Sequence, residues 1–230
     1  MTPADLLRRE LSRDGARPFV TWYDDSTRAR VELSVATTAN WCAKIAGLLV
    51  EEHDAEPGVV VTVDLPLHWQ TACVLLATWV SGAAVDIGGT GDVRVAAHDD
   101  ADVVVASDPL GMGLSRLVGS QPDDFVPLAP VDPDALALRV SGHEWTHAQL
   151  ADAALQAAAE HGLDAETRVL TTMPFDSVHG LDAGLLAPLA AGGSTVLVIS
   201  ADMSVLASRC ATEKVTHTAG ADVDRLPRLA

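Results

Sequence analysis

Two histidines and a glutamate form the pattern in this sequence that most resembles a metal site. His143, Glu144 and His147 spell H-E-x-x-H within the segment SGHEWTH. On one face of a helix, this spacing lets both imidazoles bind zinc while the glutamate polarises a metal-bound water. A third ligand is also needed, and Glu160 and Glu166 follow as candidates. The motif therefore allows a zinc hydrolase as one function.

The residues around this motif argue against a zinc-binding helix. Thr146 is of the type that caps helix N-termini, and Gln149 stands at the capping-box position three residues later. A helix that begins after Thr146 leaves His143 outside it, on a different face from His147. We therefore keep zinc hydrolysis as a remote alternative and predict a short turn that leads into a helix.

A second group of polar residues follows a predicted strand in the segment PFDSVHG. In parallel α/β sheets, ligands bind at the carboxyl ends of the strands. Alternatively, these side chains cap the next helix, and the histidine braces the strand-to-helix turn through a backbone carbonyl. Together with two residues of the first motif, they give the predicted ligand-pocket residues Asp176, Ser177, His179, Gly180, Thr146 and His147.

The segment DIGGTGD at residues 86–92 is rich in glycine and follows a predicted strand. Such a segment can cradle a phosphate, but here the dinucleotide-binding pattern lacks its last glycine and no clear helix follows. We therefore predict a turn. No G-x-S-x-G elbow occurs in the sequence, so a serine hydrolase is not supported.

Hydrophobic periodicity predicts an α/β fold with a doubly wound, mainly parallel sheet and flanking helices. The predicted helices span residues 3–14, 37–52, 68–82, 146–161, 180–191 and 203–212. The predicted strands are a hairpin within 18–34 and single strands at 59–63, 84–87, 103–106, 136–140, 168–171, 195–199 and 216–219. We expect a single domain over residues 1–230, in which a loop at 111–134 could join sub-lobes 1–110 and 135–230.

Composition and charge restrict the partners and the compartment. The formal net charge is −17, which opposes binding to nucleic acids and to anionic membranes. Three distant cysteines in apolar segments predict buried free thiols and a reducing compartment. No apolar run approaches the roughly 20 residues of a membrane span. These features predict a soluble, cytoplasmic protein.

Three segments, in order, resemble the opening half of adenylate-forming enzymes, the superfamily of acyl-CoA synthetases, nonribosomal adenylation domains and luciferase. Residues 19–85 resemble its opening hairpin, helix, strand and helix. WTHAQL and PFDSVHG, within residues 145–198, resemble its "THRNL" and P-x-F-H-x-x-G motifs, and residues 214–229 resemble a later strand and helix. The resemblance implies the fold of the first half of the family's large N-terminal domain.

Departures from the family's pattern imply a lost activity. The family places a Ser/Thr/Gly-rich loop ending in lysine, which wraps the phosphates of ATP, where this chain has only Ser141-Gly142. Asp176 and Ser177 stand where the pocket motif has an aromatic residue and a histidine. The resemblance also implies that the later adenine-binding segment, the hinge and the C-terminal lid with its catalytic lysine are missing. We therefore expect a truncated, degenerate member, similar to short actinobacterial relatives.

The sequence thus predicts a pseudoenzyme that acts in binding, assembly or regulation, with no autonomous adenylation or ligase activity. It predicts no catalytic residue, no bound cofactor and no metal. A half-domain leaves a face uncovered, so we expect self-association, such as a homodimer, or a protein partner. The alternative is an acyl- or nucleotide-binding subunit that completes an acyl-CoA synthetase-like site with a partner.

Overall fold

The computed structural model describes residues 1–105, 112–127 and 129–229. Its helices are α1 Pro3–Asp14, α2 Val35–His53, α3 Trp69–Ser81, α4 Met112–Leu117, α5 His147–Glu160, α6 Val178–Leu181, a π-helical turn Asp182–Leu186, α7 Ala187–Ala191 and α8 Met203–Thr212. Its strands are β1 Pro18–Asp24, β2 Ala29–Ser34, β3 Val60–Asp64, β4 Ala84–Ile87, β5 Val93–Ala96, β6 Val103–Val104, β7 Leu136–Val140, β8 His143–Thr146, β9 Arg168–Thr171, β10 Ser194–Ile199 and β11 His217–Ala219. The predicted α/β fold with mainly parallel strands is confirmed.

The strands form two sheets rather than one. Sheet A has the order β11-β9-β10-β1-β2, and sheet B has the order β6-β5-β3-β4-β7-β8. All pairs are parallel except β1–β2 and β7–β8, which are antiparallel hairpins at one edge of each sheet. Both sheets take strands from either side of residues 111–134, and the division into sub-lobes at that loop stays a prediction.

Helices α2 and α3 join the two sheets into one core. They pack against each other, and α2 contacts the β1–β2 hairpin while α3 contacts β1, β3 and β4. Two buried tryptophans fix this arrangement through their indole N–H groups. Trp22 of β1 donates to the carbonyl of Leu67 at 3.1 Å, and Trp79 of α3 donates to that of Ala137 at 2.8 Å. The core is therefore continuous from one sheet to the other.

The predicted helix starts are confirmed where the cap signal is unambiguous. Thr2 caps α1 with a capping box to Asp5, and Thr146 caps α5 with a capping box to Gln149. The helix predicted from residue 37 begins two residues earlier, because Ser34 rather than Thr37 accepts the capping hydrogen bond. The helix predicted from residue 180 likewise begins at Val178.

Two strands of sheet B were not predicted. The short β5 lies directly after the glycine segment, and β8 occupies residues that the sequence assigns to a turn. The strand predicted at 103–106 is present as β6, while Ala106 lies outside the described residues, as does Gly111 of the predicted loop. Helix α4 lies within that loop. Within the described parts of the chain, no helix is long and apolar enough to cross a bilayer.

Candidate functional site

The H-E-x-x-H residues do not share a helix. His143 and Glu144 lie on β8, which pairs with β7 in a hairpin that places Val140 opposite His143. His147 is instead the first residue of α5, where it is fully buried. The zinc alternative is therefore wrong in its geometry, because the spacing brings both imidazoles together only on a continuous helix.

The remaining residues of this segment have structural partners. The Glu144 carboxylate accepts hydrogen bonds at 3.1 and 3.0 Å from Nε and Nη2 of Arg139, directly across the hairpin. The His147 amide donates to the Ala135 carbonyl at 3.0 Å, at the start of β7. Burial lowers the pKa of His147, which favours a neutral imidazole. Thr146 and His147 thus fix the start of α5.

A cleft of about 570 Å³ lies where the two sheets meet. Three segments line it. They are residues 62–65 at the end of β3, residues 87–91 of the glycine segment with Arg94 of β5, and residues 174–176 after β9. The carboxyl ends of β3, β4 and β9 therefore converge on it. Ligands bind at this edge of parallel α/β sheets, so the cleft is the candidate functional site.

The connection from β4 to β5, which lines the cleft, is unusually short. Both strands run parallel to β3, on opposite sides of it, yet only residues 88–92 join them. A parallel crossover normally takes a dozen or more residues and includes a helix. Here the chain lies flat on β3: the Gly91 amide donates to Thr62 Oγ1 at 2.6 Å, and a Cβ on Gly91 would lie 2.4 Å from the Val60 carbonyl oxygen.

This contact explains the glycines and argues against a phosphate cradle. The Gly91 amide is already used by Thr62, and the Asp86 carboxylate lies so close beneath Gly89 that a Cβ there would be 2.4 Å from its oxygen. A phosphate at this segment would face that buried carboxylate. The segment thus forms a turn, as predicted, and its position in the wall of the cleft is what the sequence did not show.

A row of polar side chains crosses one face of sheet B next to the cleft. Five strands place these residues in register, β5 opposite β3, β3 opposite β4, β4 opposite β7 and β7 opposite β8. In this order, the row is Arg94, Thr62, Asp86, Arg139 and Glu144. The glycine segment lies against Thr62 and Asp86, which are buried, whereas Glu144 at the end of the row is exposed.

The charge at the cleft is negative. The carboxylates of Asp64 and Asp176 lie on its walls, and Arg94 is the only cation among the described lining residues. The Arg94 guanidinium is held between Asp64 and Asp100, with N···O distances of 3.1 Å to each. Its charge is thus largely compensated by neighbours, so the cleft disfavours an anionic ligand.

The structure distributes the six predicted pocket residues between two places. Asp176 is exposed on the cleft wall, and Ser177 follows as the cap of α6, where its Oγ accepts from the Gly180 amide at 3.1 Å. His179 is exposed on α6. Gly180 is required for packing, because a Cβ would lie 2.0 Å from the Pro174 carbonyl oxygen. Thr146 and His147 lie elsewhere, at α5, and ligand binding by any of the six stays a prediction.

Asp182 is a residue that the sequence analysis missed. It begins the π-helical turn one residue after α6, and its Oδ1 is buried with no hydrogen-bond partner among the described residues. Burial, with a smaller contribution from the nearby Glu160 carboxylate, raises the pKa of Asp182 to about 7. No local sequence signal marks such a carboxyl, because its burial depends on the packing of α5 against the π-helical turn.

We expect Asp182→Asn to stabilise the protein at pH 8 and to change it little near pH 4. The folded state binds the Asp182 proton more tightly than the unfolded chain, so the contribution of Asp182 to wild-type stability falls as pH rises from about 4 to about 7. Asparagine does not ionise, so the variant does not lose stability over this range. At pH 8 its free energy of unfolding should exceed that of wild type by on the order of 1–3 kcal/mol. Urea unfolding at both pH values measures it. If variant and wild type differ by the same free energy of unfolding at both pH values, the raised pKa of Asp182 is contradicted.

Comparison with known proteins identifies the class and then the family. No family model matches the sequence. The fold is similar to the N-terminal domain of FACL13 from Mycobacterium tuberculosis, with a TM-score of 0.79, 15% identity and coverage of 96% of this chain and 62% of that one. It is also similar to a long-chain-fatty-acid-CoA ligase, FadD1, from Archaeoglobus fulgidus, with a TM-score of 0.77, 17% identity and coverage of 95% and 51%.

A third similar structure is the anthranilate CoA ligase AuaEII in complex with anthranoyl-AMP, with a TM-score of 0.73, 13% identity and coverage of 96% and 48%. The fold is thus that of the N-terminal half of adenylate-forming enzymes, and the chain spans about half to three-fifths of these solved chains. In sequence it is 39% identical over 233 residues to a "TIGR03089 family protein" of Mycobacterium tuberculosis, covering 92% of this chain and 95% of that protein. The chain belongs to the TIGR03089 family.

Proposed function

We propose that this protein is a catalytically degenerate form of the adenylate-forming fold, which binds a small ligand at the cleft and does not adenylate a carboxylate on its own. Its role would then be binding, assembly or regulation. One observation carries the proposal: β7 and β8 are joined by the two residues Ser141-Gly142, where the resemblance places the phosphate loop. The positive φ angles of Ser141 (50°) and Gly142 (76°) are those of a tight hairpin turn.

A two-residue turn cannot surround a triphosphate. Phosphate loops hold the anion with several backbone N–H groups and a cationic side chain, as at helix N-termini and nests. Here the strand residues that flank the turn pair with each other, and Arg139 is engaged by Glu144. The turn itself offers the amides of only two residues, Ser141 and Gly142, and no free cation lies among the described residues around it.

The two lysines of the chain do not replace the missing cation. Lys44 lies on α2, where its Nζ donates to the Gln121 carbonyl at 2.9 Å and pairs with Asp123 at 2.6 Å. Lys214 follows α8 in a left-handed conformation with φ 55°. Neither lines the cleft. Because charge stabilisation is usually the largest contribution to catalysis, a site without it is not expected to activate a carboxylate.

The direct test combines ATP binding with product detection. We expect isothermal titration with Mg·ATP to show no saturable binding, and mass spectrometry to detect no acyl-AMP from a panel of aliphatic and aromatic carboxylates. A full-length adenylate-forming enzyme serves as the positive control. Micromolar ATP binding, or acyl-AMP formed by the purified chain, would overturn the proposal.

A double variant distinguishes missing donors from charge repulsion. Asp64→Asn with Asp176→Asn removes both carboxylates from the cleft walls without changing the Ser141-Gly142 turn. We expect this variant also to fail to bind ATP, because the backbone donors remain absent. Binding gained by the double variant would show that repulsion alone excludes the nucleotide and that the turn is not the decisive feature.

The open cleft supports a second function, in which the chain is an acyl- or nucleotide-binding subunit that needs a partner. The cleft lies at the strand ends where ligands bind in this class of fold. In that case acyl-AMP would form only when the chain is mixed with a partner, and Asp176→Asn would alter that activity. Absence of product in both conditions favours the non-adenylating role.

A further inference from the structure

A second concave surface, which shares no residue with the cleft, lies between α1, α2 and residues 123–127. We call it the α1–α2 groove. Its volume is about 490 Å³. Small or aliphatic side chains form its floor, chiefly Ala4, Leu7, Ala36, Ala39, Cys42 and Ala43. Alanines at successive turns of α2 leave the space that larger side chains would fill, which is why a groove forms there.

Exposed apolar side chains lie on both walls of the groove. Leu11 of α1 is 41% exposed, and Val126 on the opposite wall is 78% exposed. A single exposed apolar residue is ordinary on a protein surface. Here two of them border the same apolar groove, and apolar patches on a surface mark interaction sites.

The wall that carries Val126 is held firmly on α2. Gln121, which is 6% exposed, donates from Nε2 to Glu51 at 3.1 Å, and its carbonyl accepts from Lys44 Nζ at 2.9 Å. Gly47 leaves room for this side chain, because a Cβ there would lie 2.5 Å from Gln121 Oε1. Asp123 also pairs with Lys44 of α2 at 2.6 Å, so the start of this wall is tied to α2 just before Val126.

The charges at the rim are complementary to a second copy of the same rim. Arg8 of α1 bonds Asp5 through Nη1 and has further N–H donors at an exposed side chain. Asp124, on the opposite wall, is exposed and has no hydrogen-bond or ion-pair partner among the described residues. A two-fold arrangement would bring Arg8 of each copy to Asp124 of the other, as a self-complementary interface requires.

We propose that the α1–α2 groove is an interface between two copies of this chain, with Val126 of each copy seated in the groove of the other. A second copy is the occupant that the rim charges favour, because Arg8 and Asp124 of one rim match Asp124 and Arg8 of another across a two-fold axis, whereas Asp123 is already paired with Lys44. This interface leaves the cleft open. The proposal does not depend on whether the protein adenylates a carboxylate.

Sedimentation equilibrium of the whole chain tests this interface. We expect wild type to form a dimer, and Val126→Asp to weaken it at least about tenfold by placing a charge in an apolar groove. Met203→Asp is the matched control, since Met203 is 60% exposed on α8 and lies outside the groove. It should dimerise like wild type. Circular dichroism verifies that each variant is folded.

Exchanging the charges of Arg8 and Asp124 is an independent test of the interface. Arg8→Glu should weaken the dimer, and the double variant with Asp124→Arg should restore it. A monomeric wild type at about 100 μM would overturn the proposal. So would a dimer that resists Val126→Asp, or a monomer whose groove binds a fluorescent apolar probe, since that would assign the groove to a small ligand.

Discussion

Gly180→Ala is expected to lower the free energy of unfolding by about 2–4 kcal/mol. The added Cβ would lie 2.0 Å from the Pro174 carbonyl oxygen, and backbone on both sides must shift to make room. The shift also disturbs the hydrogen bond in which Ser177 Oγ accepts from the Gly180 amide, and loss of a helix cap costs about 1 kcal/mol. Urea unfolding at pH 7 measures the total.

Gly162→Ala is the control for this substitution. Gly162 has φ 64°, but a Cβ added there would meet no described atom within 4 Å beyond its chain neighbours, so only backbone strain opposes the alanine. A cost of about 1 kcal/mol is expected there. Equal losses for the two variants would mean that the close approach of Pro174 to Gly180 does not hold the wall of the cleft.

Glu213→Ala is expected to cost about 3 kcal/mol at pH 7. Glu213 ends α8 with its side chain 7% exposed, and it connects this helix to sheet A. Its carboxylate pairs with Arg168 at 2.5 Å and with Arg30 at 3.0 Å, and it accepts a hydrogen bond from the Tyr23 hydroxyl. Removing it leaves Arg168, which is 12% exposed, without its nearest anion.

This cost should decrease in acid. Burial opposes ionisation of Glu213, but hydrogen bonds from Tyr23, Arg168 and Arg30 outweigh it and lower its pKa below the ordinary 4.5. The stabilisation is therefore present above pH 4.5 and is lost as pH falls through the folded-state pKa. The difference in thermal stability between the two proteins should shrink as the pH is lowered from 7 into the acid range; a constant difference would contradict the role of the charge.

The exposed Arg139–Glu144 pair provides the comparison for Glu213. Its side chains are 39% and 60% exposed, and such surface pairs contribute at most about 1 kcal/mol. Glu144→Ala should therefore change stability little. A large loss in this variant would indicate that the β7–β8 hairpin, rather than the buried network at Glu213, carries the electrostatic stabilisation.

Local signals in the sequence were enough to place most elements of this fold. Thr2 and Thr146 mark their helices because a cap depends on residues three positions apart. Buried β-branched runs such as that of β3 mark parallel strands in the same way. Strands β5 and β8 were missed because pairing with neighbouring strands, rather than a local pattern, defines them.

The candidate site was predicted less completely, since it is built from distant segments. Asp176 was predicted from the segment PFDSVHG, because a residue that follows β9 lies at the edge of the sheet. The glycine segment was predicted as a turn. Its position against β3 was not predicted, because it depends on which edge of β3 pairs with β5. The burial of Asp182 depends on the packing of α5 against the π-helical turn. Packing between segments that are far apart in the chain produces no hydrophobic periodicity in the sequence.

The strand order of sheet A has a consequence for synthesis on the ribosome. Val20 of β1 pairs with Thr195 of β10, so the parallel partner of this strand emerges about 170 residues later. At about 5–20 residues per second, β1 waits roughly 10–35 s with one edge unpaired. Leu67, which accepts the Trp22 hydrogen bond, is translated much earlier than β10, so this side of β1 can pack before the sheet is complete. Sheet A can therefore be completed only after β10 has been translated, late in synthesis.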